Sequence, residues 1–173
     1  MLRKREIVAL LLVISLAGCT GWPKLSELNQ GHSWIQSGSG DYAAIYFLRP
    51  DTERYMGAAD NRIAVELNKE LLLNLVKSEY TVVHLKPGEV DVTIKSLTNA
   101  GPFREFKQMK HTKRFEFAAG STYYLSIEPV DGEFRGVYFQ PHMIDLASAQ
   151  QKSRHMRAIG PASRTPIPQT SGG

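Results

Sequence analysis

From Tyr42 onward the chain alternates apolar and polar residues with a period of two, the mark of strands with one face buried. Tyr42 to Leu48 departs from strict alternation. It is nearly all apolar, which predicts a strand covered on both faces and ended by Pro50. Arg62 to Glu66 alternates again, and Asn68-Lys69 predicts a turn into Glu70 to Leu75, as a second hairpin arm or a short helix. Tyr80 to Leu85 leads through Lys86-Pro87-Gly88-Glu89 into a half-buried strand. There Val90, Val92 and Ile94 alternate with Asp91, Thr93 and Lys95, and Pro87-Gly88 suits the centre of a type II turn. Further strands are predicted at Arg114 to Phe117, Ser121 to Glu128 and Phe134 to Phe139, with Gly120 and Asp131-Gly132 turning between them. Ile144 to Arg157 reads as a helix, with Asp145 near its start and Lys152, Arg154 and Arg157 towards its end, as the helix dipole favours. Short strands at intervals of about 10 residues predict a sandwich or barrel. The expected fold is mainly β, a single antiparallel β-sandwich with a short C-terminal helix.

The two ends differ in pattern. Arg3, Lys4 and Arg5 precede an apolar run from Ile7 to Ile14 of about 8 residues, which is secretory length and far short of the ~20 that span a bilayer. Leu16-Ala17-Gly18-Cys19 follows and resembles the lipobox of bacterial lipoproteins. That resemblance implies cleavage before Cys19 and acylation of its thiol, with the lipid bilayer as the partner of the acylated Cys19. Two or three chains would make the attachment effectively permanent, since each buried methylene adds about 0.8 kcal/mol. Thr20, at the position where an Asp retains such proteins in the inner membrane, leans towards the outer membrane facing the periplasm. An ordinary signal peptide or a short buried helix is the alternative reading. The expected organisation is therefore residues 1–18 as signal peptide, 19–41 as a flexible Ser/Gly-rich tether, 42–157 as the sandwich and 158–173 as a disordered tail rich in Pro and Gly. Trp22 and Trp34 interrupt the tether, either packing loosely or serving as partner anchors.

Three phrases within the folded part resemble a known family: Ala44-Ile45-Tyr46-Phe47-Leu48-Arg49-Pro50, Val83-His84-Leu85-Lys86-Pro87-Gly88-Glu89, and Phe117-Ala118-Ala119-Gly120-Ser121-Thr122-Tyr123-Tyr124-Leu125. In order and spacing they are similar to the DUF2846 domain, a lipoprotein-associated domain of unknown function. The resemblance implies a sandwich of the PEGA or carboxypeptidase-regulatory kind, and it brings no catalytic residues with it.

Composition narrows the chemistry. Loss of residues 1–18 would remove three basic residues and one acidic one, so the formal charge falls from +4 to +2. A nucleic-acid partner fits neither that balance nor export. Cys19 is the only cysteine, so a disulfide and a cysteine metal site are not expected. The five histidines, at 32, 84, 111, 142 and 155, show no helical metalloprotease spacing, and no metal or cofactor is expected. No Gly-x-Ser-x-Gly elbow or phosphate loop occurs, and Glu128, Asp131 and Glu133 read as a solvated turn. An enzyme is therefore not expected.

One surface stretch stands out. From Phe103 to Arg114 aromatic and basic residues interleave, with Phe103, Arg104, Phe106, Lys107 and Lys110 as the candidate contact residues. It is expected to be a loop running into a strand. In one reading it touches anionic headgroups, a glycan or a partner protein. In the other, Phe103 and Phe106 plug the open end of the sandwich. The expected role is non-enzymatic binding or scaffolding in the cell envelope with an envelope protein partner; peptidoglycan binding and accessory hydrolysis, using tyrosines such as Tyr123 and Tyr124, are the alternatives.

Overall fold

The computed structural model describes residues 41–52, 60, 62–103, 105–132 and 136–169. Among these residues nine strands and one α-helix follow in order: β1 Ala43–Arg49, β2 Ile63–Leu67, β3 Glu70–Leu75, β4 Glu79–Leu85, β5 Gly88–Ala100, β6 Glu105–Phe117, β7 Thr122–Asp131, β8 Val137–Ile144, α1 Leu146–Ser153 and β9 Arg157–Ala158. They form a β-sandwich of two sheets, ordered β8-β7-β1-β4-β9 and β3-β2-β5-β6.

The apolar run of β1 has a direct explanation. Ile45 and Phe47 point into the core between the sheets, with Val65, Leu67, Val92, Ile94, Phe117, Leu125 and Phe139. Tyr46 and Leu48 point the other way, into a second, smaller core with Tyr80, Val82, Ala149, Ala162 and Ile167. β1 is thus covered on both faces, as its composition predicts.

The Asn68-Lys69 turn is a two-residue hairpin loop between β2 and β3. Both residues have positive φ (49° and 74°), the backbone that suits the right-handed twist of paired strands. Glu70 to Leu75 is therefore the strand rather than the helix.

Several expectations need correcting. The sandwich is not purely antiparallel: β1 pairs with β7 in parallel, and β4 with β9. Pro87-Gly88 does not close a hairpin. β4 and β5 lie in different sheets, and the turn carries the chain across from one to the other. The strand foreseen at Arg114 to Phe117 begins at Glu105. The one foreseen at Phe134 to Phe139 is described from Val137 and runs to Ile144, with Pro141 tolerated because β8 is an edge strand. The helix is shorter than expected. Asp145 caps it by accepting a bond from the Ser148 amide at 2.7 Å, and Ile144 and Arg157 belong to strands.

The largest correction concerns the tail. Residues 158–169 are part of the fold rather than disordered. The Arg157 amide donates to Ser78 O at 2.7 Å, and the Ile159 amide to Tyr80 O at 2.9 Å. The chain then makes a 3-10 turn at Gly160–Ser163, and Ile167 is left 1 % exposed. The hydroxyl of Tyr46 donates to Thr165 O at 2.8 Å. Pro and Gly do not prevent this, because the segment docks by apolar contact and few ladder bonds. Residues 170–173, like 1–40, lie outside the described residues.

Candidate functional site

The strand registers give the sandwich two poles. Ala43, Leu85, Gly88, Phe117 and Thr122 meet at one, where the Gly120 amide donates to Tyr42 O. The first described residues, Asp41 and Tyr42, lie at this pole. The β5–β6 hairpin runs away from it through a 13-residue strand in each direction, or about 43 Å at 3.3 Å per residue. β2 accompanies β5 as far as the Ala64↔Lys95 pair, and Ser96 to Ala100 continue past it.

The outer half of the hairpin is held by β8. The Val137 amide donates to Thr98 Oγ1 at 3.0 Å, and His111 stacks on Tyr138 at 5.8 Å between ring centroids. Gly136, with φ 82°, sits so close that an added Cβ would lie 2.7 Å from Thr98 Oγ1 and 2.8 Å from Asn99 O. These contacts use the inner face of the hairpin and leave its outer face to solvent.

At the tip Phe103 is 85 % exposed and Phe106 74 % exposed. Neither plugs the sandwich end, because β6 has already turned Phe115 and Phe117 inward and the alternation carries Phe106 outward. Lys107 and Lys110 are exposed on β6, one and four residues behind Phe106. Arg104 and Cys19 lie outside the described residues. The structure thus brings Phe103, Phe106, Lys107 and Lys110 onto one projecting element. Leu97, 47 % exposed on the outer face, belongs with them. It was missed, yet extending the Asp91, Thr93, Lys95 alternation by one step puts Leu97 on that wet face.

Charge on the hairpin is unevenly compensated. Arg114 pairs with Asp91 at 2.7 Å, which holds the Asp91 carboxyl below its usual range. Lys95, directly opposite Lys110, is engaged by Glu66. Lys107, Lys110 and Lys113 have no carboxylate partner among the described residues, although Lys113 lies over the Phe115 ring at 5.4 Å. β6 is also a sheet edge, where lysines discourage pairing with another strand.

The distal end of β1 holds a second polar cluster. Arg49 is 1 % exposed, donates to Leu75 O at 2.9 Å and lies over the Phe139 ring at 5.1 Å. Burial lowers its pKa to about 10, against the raising effect of the Asp60 and Glu79 charges. Glu79 also accepts from the Val76 amide and pairs with Arg157, and Lys77 pairs with Asp51 at 3.0 Å. A half-open cleft of about 610 Å³ lies beside this cluster, between Pro50, Asp51 and Ser78 on one side and Gln151 and Lys152 of α1 with His155 just after it on the other. Lys152 is turned to Glu128 at 3.1 Å. Burial pushes the Glu128 carboxyl up, but Lys152 and Ser126 outweigh it and hold the group below its usual range.

The other candidates have structural occupations. The Tyr123 hydroxyl accepts the Ala118 amide, and Tyr124 stacks on Tyr46. His84 packs edge-on against Tyr42 at 4.4 Å, and burial lowers its pKa. No group of three His, Cys, Asp or Glu among the described residues is placed to hold a metal ion. What the distal pole offers is a contact surface: apolar side chains carried outward on a braced hairpin, with ammonium groups behind them.

A family model described as a protein of unknown function (DUF2846) matches residues 39–140. No curated protein matches the chain.

Proposed function

The chain belongs to the DUF2846 family, and on that footing we propose a lipid-anchored protein of the bacterial envelope whose sandwich is a non-enzymatic contact module. In this reading acylated Cys19 fixes the chain to the outer membrane on its periplasmic side. The domain then presents its distal pole to another envelope component. The observation that carries the reading is the exposure of Phe103 and Phe106 on a hairpin braced against β8, at the pole opposite Tyr42. Large apolar side chains held rigidly in water are costly to keep unless something covers them in use. The N-terminal charge block, apolar run and Leu-Ala-Gly-Cys box support the anchor.

Two measurements test the two halves. Cys19→Ser is expected to abolish acyl labelling and to release the protein from membranes under a high-salt wash; attachment that survives both changes overturns the anchor. A photo-crosslinking side chain at Phe106, introduced in cells, is expected to give adducts that the same group at Lys86, exposed near the Tyr42 pole, does not. Equal silence at both positions overturns the contact role.

A further inference from the structure

The tip's shape and charge narrow what it touches. A stable protein interface covers about 800 Å² per partner with matched surface. Among the described residues the end of this single hairpin offers Leu97, Phe103 and Phe106 as large apolar groups. A bilayer asks for no matched shape. It asks that apolar groups lead and cations follow at headgroup depth. The hairpin has that order. Lys110 shares the outer face with Phe106, about 13 Å behind it at 3.3 Å per residue, and Lys107 follows Phe106 directly on the other face of the ladder. Neither is neutralised by a carboxylate among the described residues. Their long stems let the ammonium groups reach phosphate while the chain beside them stays in apolar surroundings. Glu105 is exposed at the tip on the face that carries Lys107, opposite Phe106 and Lys110, so the outer face holds cation and ring without a carboxylate between them. A second copy fits less well, because edge-to-edge pairing of β6 would set one lysine-bearing strand beside another.

We propose that the β5–β6 tip docks on an anionic phospholipid surface, with Phe103 and Phe106 entering the headgroup–acyl boundary and Lys107 and Lys110 meeting the phosphates. This rests on the hairpin being the contact element, and it names that element's partner.

The test uses the full chain with Cys19→Ser and Gln108→Cys, so that one thiol, two residues behind Phe106 on the exposed outer face, carries an environment-sensitive fluorophore. Vesicles of phosphatidylcholine alone and of phosphatidylcholine with phosphatidylglycerol are the probes. The emission is expected to shift to the blue with the anionic vesicles only. Replacing Phe103 and Phe106 with Ser should raise the lipid needed by at least about tenfold. Lys107→Gln with Lys110→Gln should raise it about threefold or more and remove its salt sensitivity. Circular dichroism checks that each variant is folded. A label at Lys86→Cys reports on the Tyr42 pole, so vesicle binding through the N-terminal segment leaves the Gln108 label unmoved. No shift at Gln108, or an equal shift with neutral vesicles, overturns the lipid assignment and leaves the contact module standing. Crosslinking of Phe106 to one protein, with no lipid response, overturns it in favour of a protein partner. Silence in both the vesicle and the crosslinking experiments removes the contact role itself.

Discussion

Ile167→Ala tests whether the C-terminal segment belongs to the fold. Ile167 is 1 % exposed and packs with Tyr46, Leu48, Tyr80 and Val82 on the outer face of the β8-β7-β1-β4-β9 sheet. The substitution removes three carbon atoms, worth about 0.8 kcal/mol each in transfer, and the cavity adds to that. The total is about 2–3 kcal/mol. It has a ceiling, because the segment can detach once the loss exceeds the free energy that docks it. That docking also includes the Tyr46 hydroxyl on Thr165 O and the Gln169 amide on Ser153 Oγ at 3.1 Å. The assay is equilibrium unfolding in urea followed by tyrosine fluorescence. With a slope of about 1.5 kcal/mol/M, the midpoint should fall by about 1.3–2 M. A chain ending after Gly160 should fall at least as far. A midpoint within about 0.2 M of the parent's in both variants would refute the docking and restore a disordered tail.

Other outcomes follow from single contacts. Arg49→Met removes the donor to Leu75 O and the cation facing Asp60 and Glu79, so thermal or urea unfolding should show a loss of about 3–5 kcal/mol. Gly136→Ala combines a positive φ with contacts under 3 Å to Thr98 and Asn99. It should cost more than about 1 kcal/mol and broaden the NMR signals of Tyr138 and His111, while Gly101→Ala, at a similar φ but in open space, should leave those signals sharp. His84 should titrate below 6.5 by NMR, because burial disfavours its charged form. The unfolded chain then takes up the proton first, so stability is full above pH 6.5 and declines as pH falls towards the folded pKa. His84→Gln should flatten that acid limb in a pH series of unfolding midpoints.

Much of the fold was legible because it is local. Alternation at Val90, Val92 and Ile94 located β5, the unbroken apolar run marked β1 as two-faced, and Asn68-Lys69 set the β2–β3 turn. Which strands pair was not legible. The parallel register of Ala44 with Thr122 joins residues far apart in the chain, and nothing near either one encodes the other. The same holds for Pro87-Gly88, whose turn chemistry is compatible with a hairpin or a crossing between sheets. The tail was misread for a different reason. Composition sums over a segment, whereas docking depends on Ala162 and Ile167 meeting a prepared apolar face. A hint was present: β1 and β4 carry apolar residues on both faces, and the short, weakly apolar α1 cannot cover Tyr46, Leu48, Tyr80 and Val82 alone. At the hairpin, residue types identified Phe103, Phe106, Lys107 and Lys110 but not their exposure. That follows from the length of β6, which depends on its partner β5.

The late position of Ile167 also matters for the order in which the protein is made. Synthesis runs from the N-terminus, and the last fully buried side chain of the inter-sheet core, Phe139, precedes Ile167 by 28 residues. At about 5–20 residues per second, a few seconds separate completion of the first core from completion of the second. During that interval the outer strip formed by Tyr46, Leu48, Tyr80 and Val82 lacks its final cover. A chain stalled or clipped after Ile159 therefore has both sheets complete but an adhesive aromatic flank, a species that chaperones and proteases can tell apart from the completed protein.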